Sequence, residues 1–254
     1  MNKRIFFAIL VLFTLSCNSQ NKTSLKKISW SVEKIDKSYD AQGTEVEKII
    51  AKYKPEVDKL MEPIGKTKYE FKKEMPESPM SNFAADIIMT FSNKYLKENN
   101  IGGGNVDFAI TNFGGIRANL PKGEVTSYDI LSIFPFDNKI VIGELKGKDI
   151  REMMENFAKR EKVEALSGIE LVIEKRKVAK FLIGGKKLKD NKTYRVATVD
   201  FLLQGGDNIY ALKRATNVIN TNVLMKDAAI DYIKDITKKE EYIESKYDKR
   251  VIIK

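Results

Sequence analysis

Three stretches of the 254-residue chain gather side chains able to hold a ligand. In the first, DFAITNFGGIR at 107–117, strand-like text runs into Asn112, then a Gly114-Gly115 turn, then Arg117. Asn presents a donor and an acceptor to the edge of a base, and Arg presents a planar fork to phosphate oxygens. Paired glycines let the backbone come close to whatever is bound. In the second, IFPFDN at 133–138, Phe136 stands beside Pro135 at the mouth of a strand rather than in a periodic core position. A core Phe next to a turn is the alternative reading of that segment. The third, VDFLLQGGDNIY at 199–210, delivers Phe201 and then a Gly205-Gly206 turn that presents Asp207. A carboxylate there can accept hydrogen bonds from vicinal ribose hydroxyls. Neither glycine pair fits G-x-G-x-x-G or the P-loop pattern, so neither a Rossmann nor a kinase-type phosphate site is supported. Together the residues describe a nucleoside clamp of two aromatic faces, an amide, a carboxylate and one arginine. Stacking a base on an aromatic ring is worth about 1–3 kcal/mol, which suits binding but supplies no bond-breaking chemistry.

Composition limits that chemistry further. The chain has 0 His and 1 Cys. It therefore cannot build a Ser-His-Asp triad, a Cys-His dyad, an HExxH zinc site, a His-ligated dinuclear centre or an internal disulfide framework. Its net charge of +10 comes from 37 Lys and 8 Arg. The lysines are scattered, which reads as a solvated surface and not as a nucleic-acid face.

The elements that must position the three stretches follow from periodicity. A strand is expected at 28–39, with Trp30 as a packing residue. Apolar residues at Val46, Ile49, Ile50, Tyr53, Val57 and Leu60 predict a helix over 44–61, kinked or split at Pro55. Ser81 reads as the N-cap of a helix to about Leu96 whose face is Phe83, Ala84, Ile87, Ile88, Phe91 and Tyr95. Strands are expected at 106–111, 139–145, 169–173, 180–183 and 195–199, and helices at 148–160 and 222–236. The 238–254 tail either finishes with a strand at 250–253 or serves as a docking segment. The fold class is mixed α/β (α+β), with mixed sheets and flanking helices.

The N-terminus reads as an export leader. Lys3 and Arg4 precede an apolar or small run at 5–15, which has the length of a secretory h-region and is too short to span a bilayer. Thr14-Leu15-Ser16-Cys17 resembles a bacterial lipobox, so Cys17 is expected to carry a lipid. The implied organisation is a signal peptide at 1–16, a tether and lead-in strand at 17–43, a lead-in helix at 44–65 and a ligand-binding domain at 66–254. The mature chain is then exported and lipid-anchored on the periplasmic or cell-surface side of a bacterial membrane.

NFGGIR, FPFDNKIVIGELKG, SGIE and DFLLQGGDN, in that order, resemble the C-terminal, substrate-binding domain of the 5'-nucleotidase / UDP-sugar hydrolase family over about 66–235. The resemblance implies a nucleotide pocket in which Phe136 and Phe201 sandwich the base. Asn112 contacts the base, Gly168 lines the pocket, Asp207 holds the ribose hydroxyls and Arg117 reaches phosphate. The sequence departs from the family in two places. A second phosphate-binding arginine is usual shortly before the first helix, whereas 74–79 reads EMPESP. That leaves a diphosphate-containing substrate, a nucleoside or loss of tight binding open. Full-length members also carry a metallophosphatase domain with His among its ligands, which this sequence lacks. The resemblance thus implies the nucleotide-binding half of a split enzyme with no cofactor of its own. Divalent metals are expected in a separate metallophosphatase chain. The alternatives are a non-catalytic nucleotide- or nucleoside-binding lipoprotein, or a surface lipoprotein that kept the fold without the site.

Overall fold

The computed structural model describes residues 25–32 and 43–254. The signal peptide, Cys17, most of the tether and the second half of the expected lead-in strand lie outside the described residues. Contacts divide the chain into two units, Met1–Ile50 and Ala51–Lys254. In the first, residues 28–32 form no strand, and Trp30 is 82% exposed instead of packed. A strand needs a neighbour to complete its ladder, and none is formed there. Helix α1 (Glu45–Leu60) is a single run containing Pro55, with no buried residue. The helix is not split there, because on an exposed helix water can serve the carbonyl that proline leaves unpaired.

In the second unit β1 (Pro63–Thr67) leads to α2 (Pro79–Glu98). The N-cap of α2 is Ser78, not Ser81. Ser78 and Ser81 form a reciprocal capping box, and Pro79 sits where its missing N–H costs nothing. Phe83, Ala84, Ile87 and Ile88 are buried as expected. Next come β2 (Phe108–Thr111), β3 (Gly123–Thr126), α3 (Ser127–Ile133), β4 (Lys139–Lys146) and α4 (Gly147–Arg160). The i, i+3, i+4, i+7 set of α4, Ile150, Met153, Met154 and Phe157, is at most 2% exposed. Each such burial contributes about 1.5–3 kcal/mol.

Strands β5 (Ala165–Ser167), β6 (Ile169–Glu174), β7 (Lys177–Ile183), β8 (Lys186–Lys187) and β9 (Thr193–Val199) follow. The chain ends with α5 (Asp200–Leu203), β10 (Thr216–Leu224), α6 (Met225–Thr237) and β11 (Val251–Ile253). Residues 222–224, expected to open the last helix, belong instead to β10, which pairs antiparallel with β4.

The central sheet has the order β10-β4-β9-β2-β5, antiparallel except for β2 beside β9. A second sheet, β11-β6-β7-β8, is antiparallel except for β11 beside β6, and β1 pairs with β3. The core lies between the central sheet and α2, α4 and α6. The tail takes the strand option, held by the buried Glu77. Its carboxylate accepts from the backbone N–H of Asp248, Lys249 and Val251 at 2.9–3.1 Å and from Asn82 Nδ2 at 2.8 Å. Among the described residues no helix is long and apolar enough to cross a membrane.

Candidate functional site

The parallel neighbours β2 and β9 end on the same side of the central sheet, and their exits carry two of the three stretches. Thr111 leads into Asn112, which begins the tight helical turn Phe113–Gly115. Val199 leads into α5 with Phe201 and then the 205–208 loop. The third stretch enters β4, the other neighbour of β9.

Asn112 is 5% exposed, and its Nδ2 donates to Asp207 Oδ2 at 2.6 Å. The carboxylate can only accept, so the amide is oriented with Oδ1 turned the other way, buried and without a partner. A Cβ on Gly115 would lie 2.8 Å from that oxygen, which is why the turn carries glycine there. Asn112, Gly115, Phe134, Phe136 and Asn138 line one small recess of about 10 Å³, room for about one water. The recess is too small to admit an aromatic ring. Those rings are offered to solvent: Phe136 is 46% and Phe201 44% exposed. Phe201 lies against Gly206, in space a side chain would fill. Asp207 adopts φ 51°, and its carbonyl accepts from Arg160 Nη1 at 3.4 Å.

Arg117 projects from the same turn. Its guanidinium stands 5.9 Å from the Phe136 ring centre, and Nη1 donates to Gly114 O at 3.3 Å. Beside it Lys73 Nζ donates to Ile116 O at 2.6 Å. Burial first, then the Arg117 charge, push the Lys73 ammonium below its ordinary value, and Glu164 opposes the shift. Neither Lys73 nor Arg117 forms an ion pair among the described residues. Under the turn lies Glu164, 1% exposed, accepting from Phe113 N at 2.7 Å. Burial raises its carboxyl above the ordinary range, partly offset by that N–H and by Lys162.

The structure thus brings Asn112, Arg117, Phe136, Phe201 and Asp207 into one cluster. Gly168 is not among them. Antiparallel pairing sets Thr111 opposite Ala165 and Ala109 opposite Ser167, which carries Gly168 to the far end of β2 from Asn112. There, with φ 77°, it borders a separate basic recess of about 900 Å³ with Asp107, Lys186, Lys187 and Arg195. Two residues of the site are absent from the expectations. Lys73 stands one position before the 74–79 segment. Glu164 is the one charge in the apolar run VEAL at 163–166, and that interruption is the signal that could have found it. The described residues contain no group of three or more His, Cys, Asp or Glu placed to hold a metal. Nor does the cluster fit one: Asp207 is its one surface carboxylate, already bonded to Asn112, and cations flank it.

The sequence profile of the family described as "5'-nucleotidase, C-terminal domain" matches residues 63–214. Protein UshA of Yersinia enterocolitica is 31% identical over 132 residues, covering 50% of this chain and 24% of that protein. A 5'-nucleotidase of Vibrio vulnificus is 30% identical over 132 residues, with the same coverage of 50% and 24%. This chain therefore spans about a quarter of the length of these curated relatives. Among solved structures, a 5'-nucleotidase precursor from Thermus thermophilus superposes with a TM-score of 0.68 at 23% identity, covering 82% of this chain and 42% of that one. That likeness shows the fold. With the profile spanning every stretch of the cluster, the chain belongs to the 5'-nucleotidase C-terminal domain family.

Proposed function

We propose that this protein is the nucleotide-binding half of a split 5'-nucleotidase / UDP-sugar hydrolase acting in extracytoplasmic nucleotide catabolism. In this reading it is a lipoprotein anchored through Cys17, and a separate metallophosphatase chain supplies the divalent metals and the hydrolysis. The observation that carries the binding role is the cluster at the exits of β2 and β9. There a buried amide, a carboxylate, two solvent-facing aromatic rings and two cations with no ion-pair partner among the described residues share one edge. In this reading Phe136 and Phe201 stack the base, Asn112 Oδ1 accepts from its edge, and Asp207 takes the ribose hydroxyls. Arg117 and Lys73 hold phosphate, Lys73 standing in for the second arginine. The separate catalytic chain is supported by composition, since 0 His leaves this chain without the usual ligands of a dinuclear centre. The chain's own residues bind and orient the nucleotide and hold its negative charge at the rim, which is the positioning half of catalysis.

The test compares AMP hydrolysis by the recombinant mature chain with that of the chain purified gently from its native membrane. Chelator-sensitive activity in the native eluate alone is the expected result. Equal activity in the recombinant chain would overturn the division of labour, and activity in neither would favour a non-catalytic nucleotide- or nucleoside-binding lipoprotein.

A further inference from the structure

The two stacking phenylalanines sit on different segments, and a sandwich works only when those segments keep their spacing. One side chain joins them. Asp200 Oδ1 accepts from the backbone N–H of Phe201 at 2.8 Å and from the backbone N–H of Lys139 at 3.1 Å. Lys139 opens β4 at the end of the Phe136 loop, and Asp200 opens α5 next to Phe201. Elsewhere that loop is tied down by Phe134 N donating to Ile130 O and by Asn138 O accepting from Met225 N. Neither of those bonds reaches the Phe201 segment. The strand ladder between β4 and β9 stops at Ile140 opposite Val199, so the Asp200 carboxylate continues the pairing one step beyond the sheet, where backbone groups no longer meet.

We infer that Asp200 is a positioning residue for nucleobase binding, its one carboxylate oxygen clasping the Phe136-bearing and Phe201-bearing segments into a fixed jaw. The inference rests on the nucleoside reading of the site. Asp200 itself touches no ligand. It fixes the distance between the two rings in advance, so that the ordering is not done at the expense of binding. What the clasp requires is an acceptor oxygen at the Oδ1 position, more than a charge.

Adenosine binding to the wild-type mature chain, Asp200→Ala and Asp200→Asn, measured by titration calorimetry with thermal unfolding alongside, tests it. Asp200→Ala is expected to weaken adenosine binding about fivefold to tenfold, in line with the loss of one to two net hydrogen bonds. Asp200→Asn keeps the acceptor and is expected to restore affinity to within about twofold, a rescue that a general loss of stability or charge would not give. If Asp200→Ala does not fold, Asp200→Glu takes its place, keeping the charge while displacing the oxygen by one methylene. Wild-type binding with unchanged affinity in the alanine or glutamate variant overturns the clasp alone, as does an asparagine variant no better than alanine. Absence of adenosine binding in the wild type overturns the nucleoside reading and the clasp with it.

Discussion

Lys73 and Arg117 reach carbonyls two residues apart on one turn, Ile116 O and Gly114 O, so their positive heads crowd the same rim. Crowding like charges that form no ion pair costs free energy, only partly relieved by Glu164, that a bound dianion would return. Lys73→Ala is accordingly expected to weaken AMP binding about tenfold, the worth of one charge-assisted hydrogen bond. Adenosine binding should stay within about twofold, because the nucleoside offers nothing for the lysine to hold. A titration of both ligands on both proteins decides it; equal losses would move Lys73 from phosphate contact to general support of the turn. Glu164 makes a different kind of prediction. Burial raises its folded-state pKa, so the native protein keeps this proton to a higher pH than the unfolded chain does. Its contribution to stability therefore falls as pH rises from the ordinary glutamate value, about 4.3, through the raised one. Glu164→Gln keeps an acceptor for Phe113 N–H and carries no charge to bury. It should flatten that decline, seen as a higher urea midpoint than wild type at about pH 8 and a smaller difference near about pH 5. At this scale the stretches that hold Asn112, Arg117, Phe136, Phe201 and Asp207, which the fold brings together, stood out in the sequence because each carries a glycine or proline turn signal. Gly168 has such a signal too, but only the register of β2 with β5 decides which end of the strand it joins, and register is a non-local property.

At the scale of elements, one heavily used side chain lies outside the site. Glu77 collects three backbone N–H groups of the tail and the Asn82 amide while 4% exposed. Removing it leaves several buried donors without an acceptor, each costing about 1–3 kcal/mol. Glu77→Ala is expected to lower stability by about 3 kcal/mol or more in urea unfolding. Amide exchange at 251–253 should quicken more than at the central strands β4 and β9. Uniform acceleration everywhere would show that Glu77 supports the whole unit and not the tail. Helices with one apolar face, α2 and α4, were legible because their period is internal to the segment. Strand β10 and the lack of a strand at 28–32 were not. Whether the segments at 216–224 and 28–32 form strands depends on an available neighbour, which β4 supplies to the first and no described residue supplies to the second. The N-terminus of α2 was missed by three residues because Ser78 and Ser81 are both capping residues, and the proline between them settles the choice.

For the molecule as a whole, the same sheet builds both structure and site. The strands that form the core, β2 and β9, also end at the edge that carries the candidate site, so five candidate residues from three separated stretches converge without any long loop. The fold class was legible from the alternation of periods, and the convergence was not, since strand order is set by pairings distant in sequence. The Asn112–Asp207 hydrogen bond has a consequence in the time domain. Its partners are 95 residues apart in the chain, and the two loops are brought together by the place of β9 beside β2 in the sheet. Closing a contact of such separation costs the conformational entropy of the intervening chain, so the bond is expected to form with the complete sheet and not before it. A nucleoside bound across these two loops would therefore report completed folding, and at about 100 times its dissociation constant it would add about 2.7 kcal/mol to the native state. A partly folded chain with β2 and β5 paired but the 205–208 loop undocked would gain none of this.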